Sequence, residues 1–172
     1  MKKTNIVLIG MPASGKSTVG VILAKVLGMD FVDADLIIQK KTGKLLSEII
    51  EEKGVDGFIA VENEINSQIE AENAVISTGG SAVYGKEEME HLGADGHIFY
   101  LKVDFEELSE RLGNIKKRGV VVREGQTLKD LYDERVILYE KYADTTIDET
   151  GKNVEKLVVE IASKWQELRE NQ

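Results

Sequence analysis

Apolar residues along the chain fall into two alternating patterns. Short bursts run over Asn5–Ile9, Asp30–Asp33, Ala74–Ser77, His97–Val103 and Thr145–Asp148. In the first, Ile6-Val7-Leu8-Ile9 offers no polar face, as expected of a central parallel strand covered on both sides. Between the bursts apolar residues recur at three- and four-residue spacing, the signature of helices with one buried stripe. Val19, Ile22, Leu23, Val26 and Leu27 mark the first, with Gly28 as its stop. Leu45, Leu46, Ile49 and Ile50 mark a second, and Phe58, Val61, Ile65 and Ile69 a third. Thr127 and Asp130 form a capping arrangement that opens a helix to about Tyr142. The last helix carries Val154, Leu157, Val158, Ile161, Trp165 and Leu168, with Trp165 expected in the core. Strands alternating with helices predict an α/β fold built on a parallel sheet.

One segment carries chemistry by itself. Gly10-Met-Pro-Ala13-Ser14-Gly15-Lys16-Ser17 fits G-x-x-x-x-G-K-[ST], and it lies between the first strand and the first helix. A loop that wraps a phosphate with backbone N–H groups needs glycine for close approach. Lys16 then supplies a point charge, and Ser17 a hydroxyl for Mg²⁺. The start of the helix, with Thr18, adds its positive end. The motif predicts that Gly10, Ala13, Ser14, Gly15, Lys16, Ser17 and Thr18 hold ATP. Ala13 is expected in the right-handed region, where alanine is comfortable.

Other residues draw attention by position. Asp33 and Asp35 follow the second strand at its carboxyl end, where open α/β sheets bind ligands. Extended backbone there would point both carboxylates the same way; the alternative is that Asp35 caps the run Leu36–Lys41. Arg135 shares a helical stripe with Leu128, Leu131, Leu138 and Tyr142. Such an arginine pairs with an internal carboxylate, keeps its head in water or awaits an anion. Gly113–Gly125 gathers Lys116, Lys117, Arg118 and Arg123 among glycines and reads as a mobile cationic lid.

Composition narrows the field. The 172 residues suit one domain, 1–172, with the lid inside it. Hydrophobic residues at 42% and charged residues at 31% are ordinary for a globular chain. The net charge of −9 argues against a nucleic-acid partner, whose binding depends on basic surface. No apolar run reaches the roughly 18 residues of a membrane span. Met1–Thr4 carries no secretory pattern, and cysteine is absent, so a cytoplasmic location is expected.

Taken in order, the segments resemble the shikimate kinases over nearly the whole chain. They are Leu8–Gly10, Gly15–Gly20, Phe31-Val-Asp33-Ala-Asp35, Thr42-Gly43, Thr78-Gly79-Gly80, Lys117-Arg118-Gly119-Val120-Val121, Glu134–Tyr139 and Ala143-Asp144. The resemblance implies a three-layer αβα P-loop fold around a five-stranded parallel sheet, with a lid that closes over ATP. It implies γ-phosphate transfer to a hydroxyl of shikimate, in aromatic amino acid biosynthesis. In that scheme Asp33 joins Ser17 at Mg²⁺, and Asp35 binds the acceptor hydroxyl and acts as its base. Gly79 and Gly80 present N–H groups to the acceptor, and Arg135 clamps a carboxylate. Arg118 is the catalytic lid arginine. Arg111 packs on adenine, although an ordinary helix-surface arginine is the competing reading. The expected partner is a small hydroxy acid, and the expected state is a monomer.

Three positions depart from the family pattern. Ile59 stands where an arginine usually follows the phenylalanine of the third helix as a second carboxylate clamp; Glu62, that arginine's partner, remains. Lys44 and Arg123 are the cations whose compensation for Ile59 the structure has to test. Ser81 replaces a third glycine, adding a hydroxyl or crowding the site. Gly119 replaces a proline. These departures leave two alternatives: a related kinase acting on another polyol or hydroxy acid such as gluconate, or an ATP-binding regulatory homologue.

Overall fold

The computed structural model describes residues 3–113 and 120–171. Five strands form one sheet in the order β2-β3-β1-β4-β5. They are β1 (Asn5–Ile9), β2 (Asp30–Asp33), β3 (Ala74–Ser77), β4 (Gly96–Lys102) and β5 (Thr145–Asp148). Every pairing is parallel, with Leu8 set between Ser77 and Phe99. The strands fall within a residue of where the apolar bursts put them.

The two-sided apolar character of β1 has a direct cause. Val7 and Ile9 enter one core with Ile76, Tyr100, Leu108, Leu131 and Tyr139. Ile6 and Leu8 enter the other with Val19, Leu23, Val158, Ile161 and Trp165. Successive side chains of a strand point to opposite faces, so a covered central strand must be apolar at every position. Helices α1 (Lys16–Leu27) and α7 (Val154–Glu170) cover the second face. Helices α4 (Lys86–Asp95), α5 (Phe105–Leu112) and α6 (Leu128–Tyr142) cover the first, giving three layers. Trp165 is buried in the core, as expected.

A third, smaller cluster joins Ile38 of α2 (Ala34–Thr42) to Ile49 and Phe58 of α3 (Leu46–Asn66) and to Val121. The second and third helices expected from sequence are the two arms of α3. They meet at Gly54, whose φ of 71° and ψ of −178° interrupt the helix. The third helix also stops earlier than its stripe implied: Ile69 lies beyond Asn66, although it is buried. Helix α6 opens on the expected reciprocal cap. Thr127 Oγ1 accepts from Asp130 N–H at 3.1 Å, and Asp130 accepts from Thr127 N–H at 3.0 Å.

Parallel strands end at the same edge. The phosphate-type loop after β1, Asp33 at the end of β2, the turn after β3 and Glu149 after β5 are therefore brought together by topology.

Candidate active site

A cavity of about 700 Å³ opens at this edge. Pro12, Ala13, Gly15, Lys16, Ser17 and Thr18 line it from the loop after β1, and residues from other elements complete the wall. Asp35, Glu62, Gly79, Gly80, Ser81 and Arg135 are among them. That size suits a small ligand plus the phosphates of a nucleotide. Of the expected site residues, Gly10, Ser14, Asp33 and Arg111 stand just behind this lining. Arg118, with Lys116, Lys117 and Gly119, lies outside the described residues.

The first loop is built to hold something tightly. Gly10 has a φ of 152°, and a Cβ there would sit 2.7 Å from the Leu101 carbonyl oxygen. Only glycine fits. Gly15 follows with a φ of 84° at the N-terminus of α1. Ser14 is buried, its N–H donating to the Met11 carbonyl at 3.1 Å. Ala13 corrects the expectation: its φ is 64°, in the left-handed region. That conformation costs a residue with a Cβ about 1–2 kcal/mol, so the loop carries strain where glycine would carry none.

Lys16 is buried and has no carboxylate partner among the described residues. Its ammonium donates to the carbonyls of Gly10 (2.8 Å) and Met11 (2.9 Å) and to Ser14 Oγ (3.3 Å). Burial lowers its pKa to about 8, with Asp35 opposing the shift. A buried cation resting only on neutral oxygens is suited to receive an anion.

The two aspartates divide their tasks. Helix α2 begins at Ala34, so Asp35 sits in a helical first turn and not on extended backbone. The cap is Asp33: its Oδ1 accepts from the N–H groups of Asp35 (3.0 Å) and Leu36 (3.2 Å). Its Oδ2 is left facing Ser17 Oγ at 3.3 Å, and that hydroxyl also lies 3.3 Å from Ser77 Oγ. Asp33, Ser17 and Ser77 thus form an all-oxygen set of the hard type that Mg²⁺ favours. Asp35, relieved of capping, lines the cavity. Burial chiefly, and then the charge of Asp33, raises its pKa, with Lys16 pulling the other way.

The turn after β3 is tight for a reason. A Cβ on Gly79 would lie 2.6 Å from Glu62 Oε1 and 2.8 Å from Asp35 Oδ1. One on Gly80 would lie 2.7 Å from Pro12 Cδ and 2.9 Å from Arg135 Nη1. The glycines let the backbone pass between two carboxylates and a guanidinium. The Tyr139 hydroxyl, one helical turn beyond Arg135, locks the turn by donating to the Gly80 carbonyl at 2.6 Å. Ser81 adds a hydroxyl bond and does not crowd the cavity: its Oγ donates to Glu62 Oε2 at 2.6 Å.

Arg135 is 1% exposed. Its Nη2 donates to the Val121 carbonyl at 2.9 Å, and its guanidinium lies over the Tyr84 ring at 5.4 Å. Among the described residues no carboxylate approaches within ion-pair distance of it, and its Nε has no partner. The internal salt bridge that would have explained the residue structurally is absent there. A buried fork without a counter-charge at a cavity wall fits a carboxylate ligand.

Neither cation considered as a replacement for the missing arginine serves. Lys44 pairs with Glu52, and Arg123 pairs with Asp56 at 2.9 Å and Glu134 at 3.5 Å. Among the described residues, only Lys16 and Arg135 bring positive charge to the cavity lining. Ile59 is half-buried and outside that lining. Arg111 is no loose surface arginine. Its Nη1 donates to the Ala13 carbonyl at 3.2 Å and to Glu149 Oε2 at 3.0 Å, and it pairs with Glu107.

Comparison with known proteins decides the family. A family model described as shikimate kinase matches residues 12–166. The chain belongs to the shikimate kinase family. A shikimate kinase of Thermodesulfovibrio yellowstonii is 39% identical over 167 residues, covering 95% of this chain and 96% of that one. One from Haemophilus influenzae (strain PittEE) is 38% identical over 164 residues, covering 93% and 91%. Among solved structures, a shikimate kinase from Acinetobacter baumannii in complex with shikimate superposes with a TM-score of 0.79. It is 33% identical and covers 96% of this chain and 92% of that chain. The protein is thus a P-loop kinase that uses ATP and Mg²⁺ and takes a hydroxyl group as phosphate acceptor.

Sequence reasoning left several functional neighbours unnoticed. Tyr139 was accessible to it, standing four residues after Arg135 on the same helical face. Glu149 carried only the signal of following a strand end. Ser77 carried none, because its meaning depends on residues far along the chain.

Proposed function

We propose that this enzyme transfers the γ-phosphate of ATP to the 3-hydroxyl of shikimate. The observation that carries the reading is Arg135, a buried guanidinium without a counter-ion among the described residues, on the far side of the glycine turn from Asp35. A carboxylate held by the first leaves a ring hydroxyl to the second. Bond making and breaking are balanced: the acceptor oxygen attacks phosphorus, the bond to the ADP oxygen breaks, and the hydroxyl proton passes to Asp35. Its raised pKa suits a base.

In this reading Gly10, Ala13, Ser14, Gly15, Lys16, Ser17 and Thr18 cradle the phosphates. Ser17 and Asp33 hold Mg²⁺, which neutralises charge on the phosphate oxygens. Arg111, already at the loop, borders the nucleotide, and Arg118 closes over the transferred phosphate as the catalytic arginine of a lid spanning about 113–125. Gly79 and Gly80 receive the acceptor. The reading also makes the enzyme a cytoplasmic monomer; no described helix is long and apolar enough to cross a membrane.

The test is an acceptor panel read by ADP release. Shikimate-dependent ADP formation is expected, with Asp35→Asn reducing kcat at least a hundredfold. Turnover with gluconate or another polyol, and none with millimolar shikimate, would overturn the acceptor while keeping the kinase.

A further inference from the structure

We infer that Glu149 is a positioning residue for the phosphate loop: acting through Arg111, it holds Ala13 in its left-handed conformation. The inference rests on the reading of Gly10–Thr18 as the ATP site and adds a residue that the site did not include.

Ala13 and Asn73 are the non-glycine residues with positive φ among those described. Asparagine tolerates that region because its side chain bonds locally. Alanine has no such aid, and strained backbone persists only where its surroundings over-determine it. The surroundings of Ala13 are specific. Its carbonyl accepts from Arg111 Nη1, and the same nitrogen donates to Glu149 Oε2. One nitrogen therefore ties the loop to a carboxylate on another element.

Both ends of this strut are anchored. Arg111 stands in the last turn of α5, where Glu107 pairs with it from one turn earlier. Glu149 directly follows β5. Its N–H donates to the Lys102 carbonyl at 3.0 Å, and its own carbonyl accepts from Lys152 at 2.9 Å. Its side chain is 0% exposed, and its Oε1 has no partner among the described residues. A carboxylate buried so completely, with half its acceptors unused, is a costly way to fill space. The contact it does make is the one that fixes Arg111 against the loop. Fixing the Ala13 carbonyl in turn fixes the peptide groups on either side of it in the loop.

The strut is therefore expected to matter in proportion to the strain it restrains. Replacing Ala13 by glycine removes that strain, so the two changes must couple. ATP dissociation constants by calorimetry, and KM and kcat by ADP release, are to be measured for the wild type, Glu149→Ala, Ala13→Gly and the double variant. Glu149→Ala is expected to weaken ATP about tenfold in the wild-type background and less than threefold in the Ala13→Gly background. The KM for the acceptor should change less than twofold. Equal weakening in both backgrounds overturns the inference, as does a parallel rise in the acceptor KM. Should Glu149→Ala not fold, Glu149→Gln is read in the same cycle, because loss of charge alone weakens the strut. Failure of the wild type to bind ATP would instead overturn the reading of the loop itself.

Discussion

Ser81 donates a 2.6 Å hydrogen bond to Glu62 in the wall of the acceptor cavity. Burial pushes the Glu62 carboxyl up to about 7, with the Ser81 bond opposing. The other oxygen, Oε1, has no partner among the described residues. The serine is thus the one side-chain hydrogen-bond donor to Glu62 among the described residues. Ser81→Ala is expected to cost about 1–3 kcal/mol of stability, the penalty of leaving a buried acceptor unpaired. At roughly 2–4 °C per kcal/mol for a chain of this size, the melting temperature should drop by several degrees. An unchanged melting temperature would show that the bond contributes nothing.

Arg135 offers a sharper test of the acceptor reading. Arg135→Lys keeps a positive charge but loses the planar fork. If the fork holds the acceptor carboxylate, kcat/KM for shikimate should fall about ten- to a hundredfold, the equivalent of one charge-assisted bond. The KM for ATP should change less than the KM for shikimate, because the side-chain hydrogen bond of Arg135 goes to Val121 and none goes to the phosphate loop among the described residues. Steady-state kinetics with each substrate varied in turn separates these outcomes. Equal losses for both substrates would point to collapse of the contacts with Val121 and Tyr84.

Ile59 stands outside the cavity lining but close in sequence to Glu62, which is part of it. It precedes Glu62 by three residues on α3, a spacing at which side chains meet on a helix. Arginine at this position would place a cation beside a buried carboxylate that now has only a hydroxyl. Ile59→Arg is therefore expected to lower the KM for shikimate by about tenfold, one charge-assisted bond's worth. Its melting temperature should hold. A KM that does not move would mean that Arg135 alone provides the anion site.

How far the sequence could be read depends on the range of the interactions that give each residue its role. The strands were legible because β1 is covered on both faces, which leaves an uninterrupted apolar run. The phosphate loop was legible because its chemistry is packed into contiguous residues. Asp35 was placed in the cavity correctly but for a wrong reason: its direction follows from α2 starting at Ala34, with Asp33 taking the cap. Ala13 was misjudged because a propensity says where alanine is comfortable, whereas the surrounding contacts decide where it sits. Tyr139 and Glu149 act through Gly80 and Arg111, 59 and 38 residues away along the chain, which no local pattern records.

Glu88 carries the pH dependence. It is buried at the start of α4, and among the described residues neither carboxyl oxygen has a hydrogen-bond partner. Burial first, and then the nearby Glu62, raise its pKa from 4.5 to about 10. The folded protein therefore retains a proton that the unfolded chain releases above about pH 4.5. With more protons bound in the native state, stability falls as pH rises. The contribution is fully present below the unfolded pKa and is lost progressively as pH rises through the window up to about 10. The slope cannot exceed about 1.4 kcal/mol per pH unit for one group. Glu88→Gln imitates the protonated form and removes the titration. Denaturant unfolding at pH 6 and pH 8.5 should show wild-type stability dropping by at least about 1 kcal/mol between the two. The variant should lose less, keeping the part that Glu62 contributes with its carboxyl raised to about 7, and should exceed the wild type at the higher pH. Identical pH profiles for the two proteins would mean that Glu88 is ionised in the fold, with a partner that compensates it.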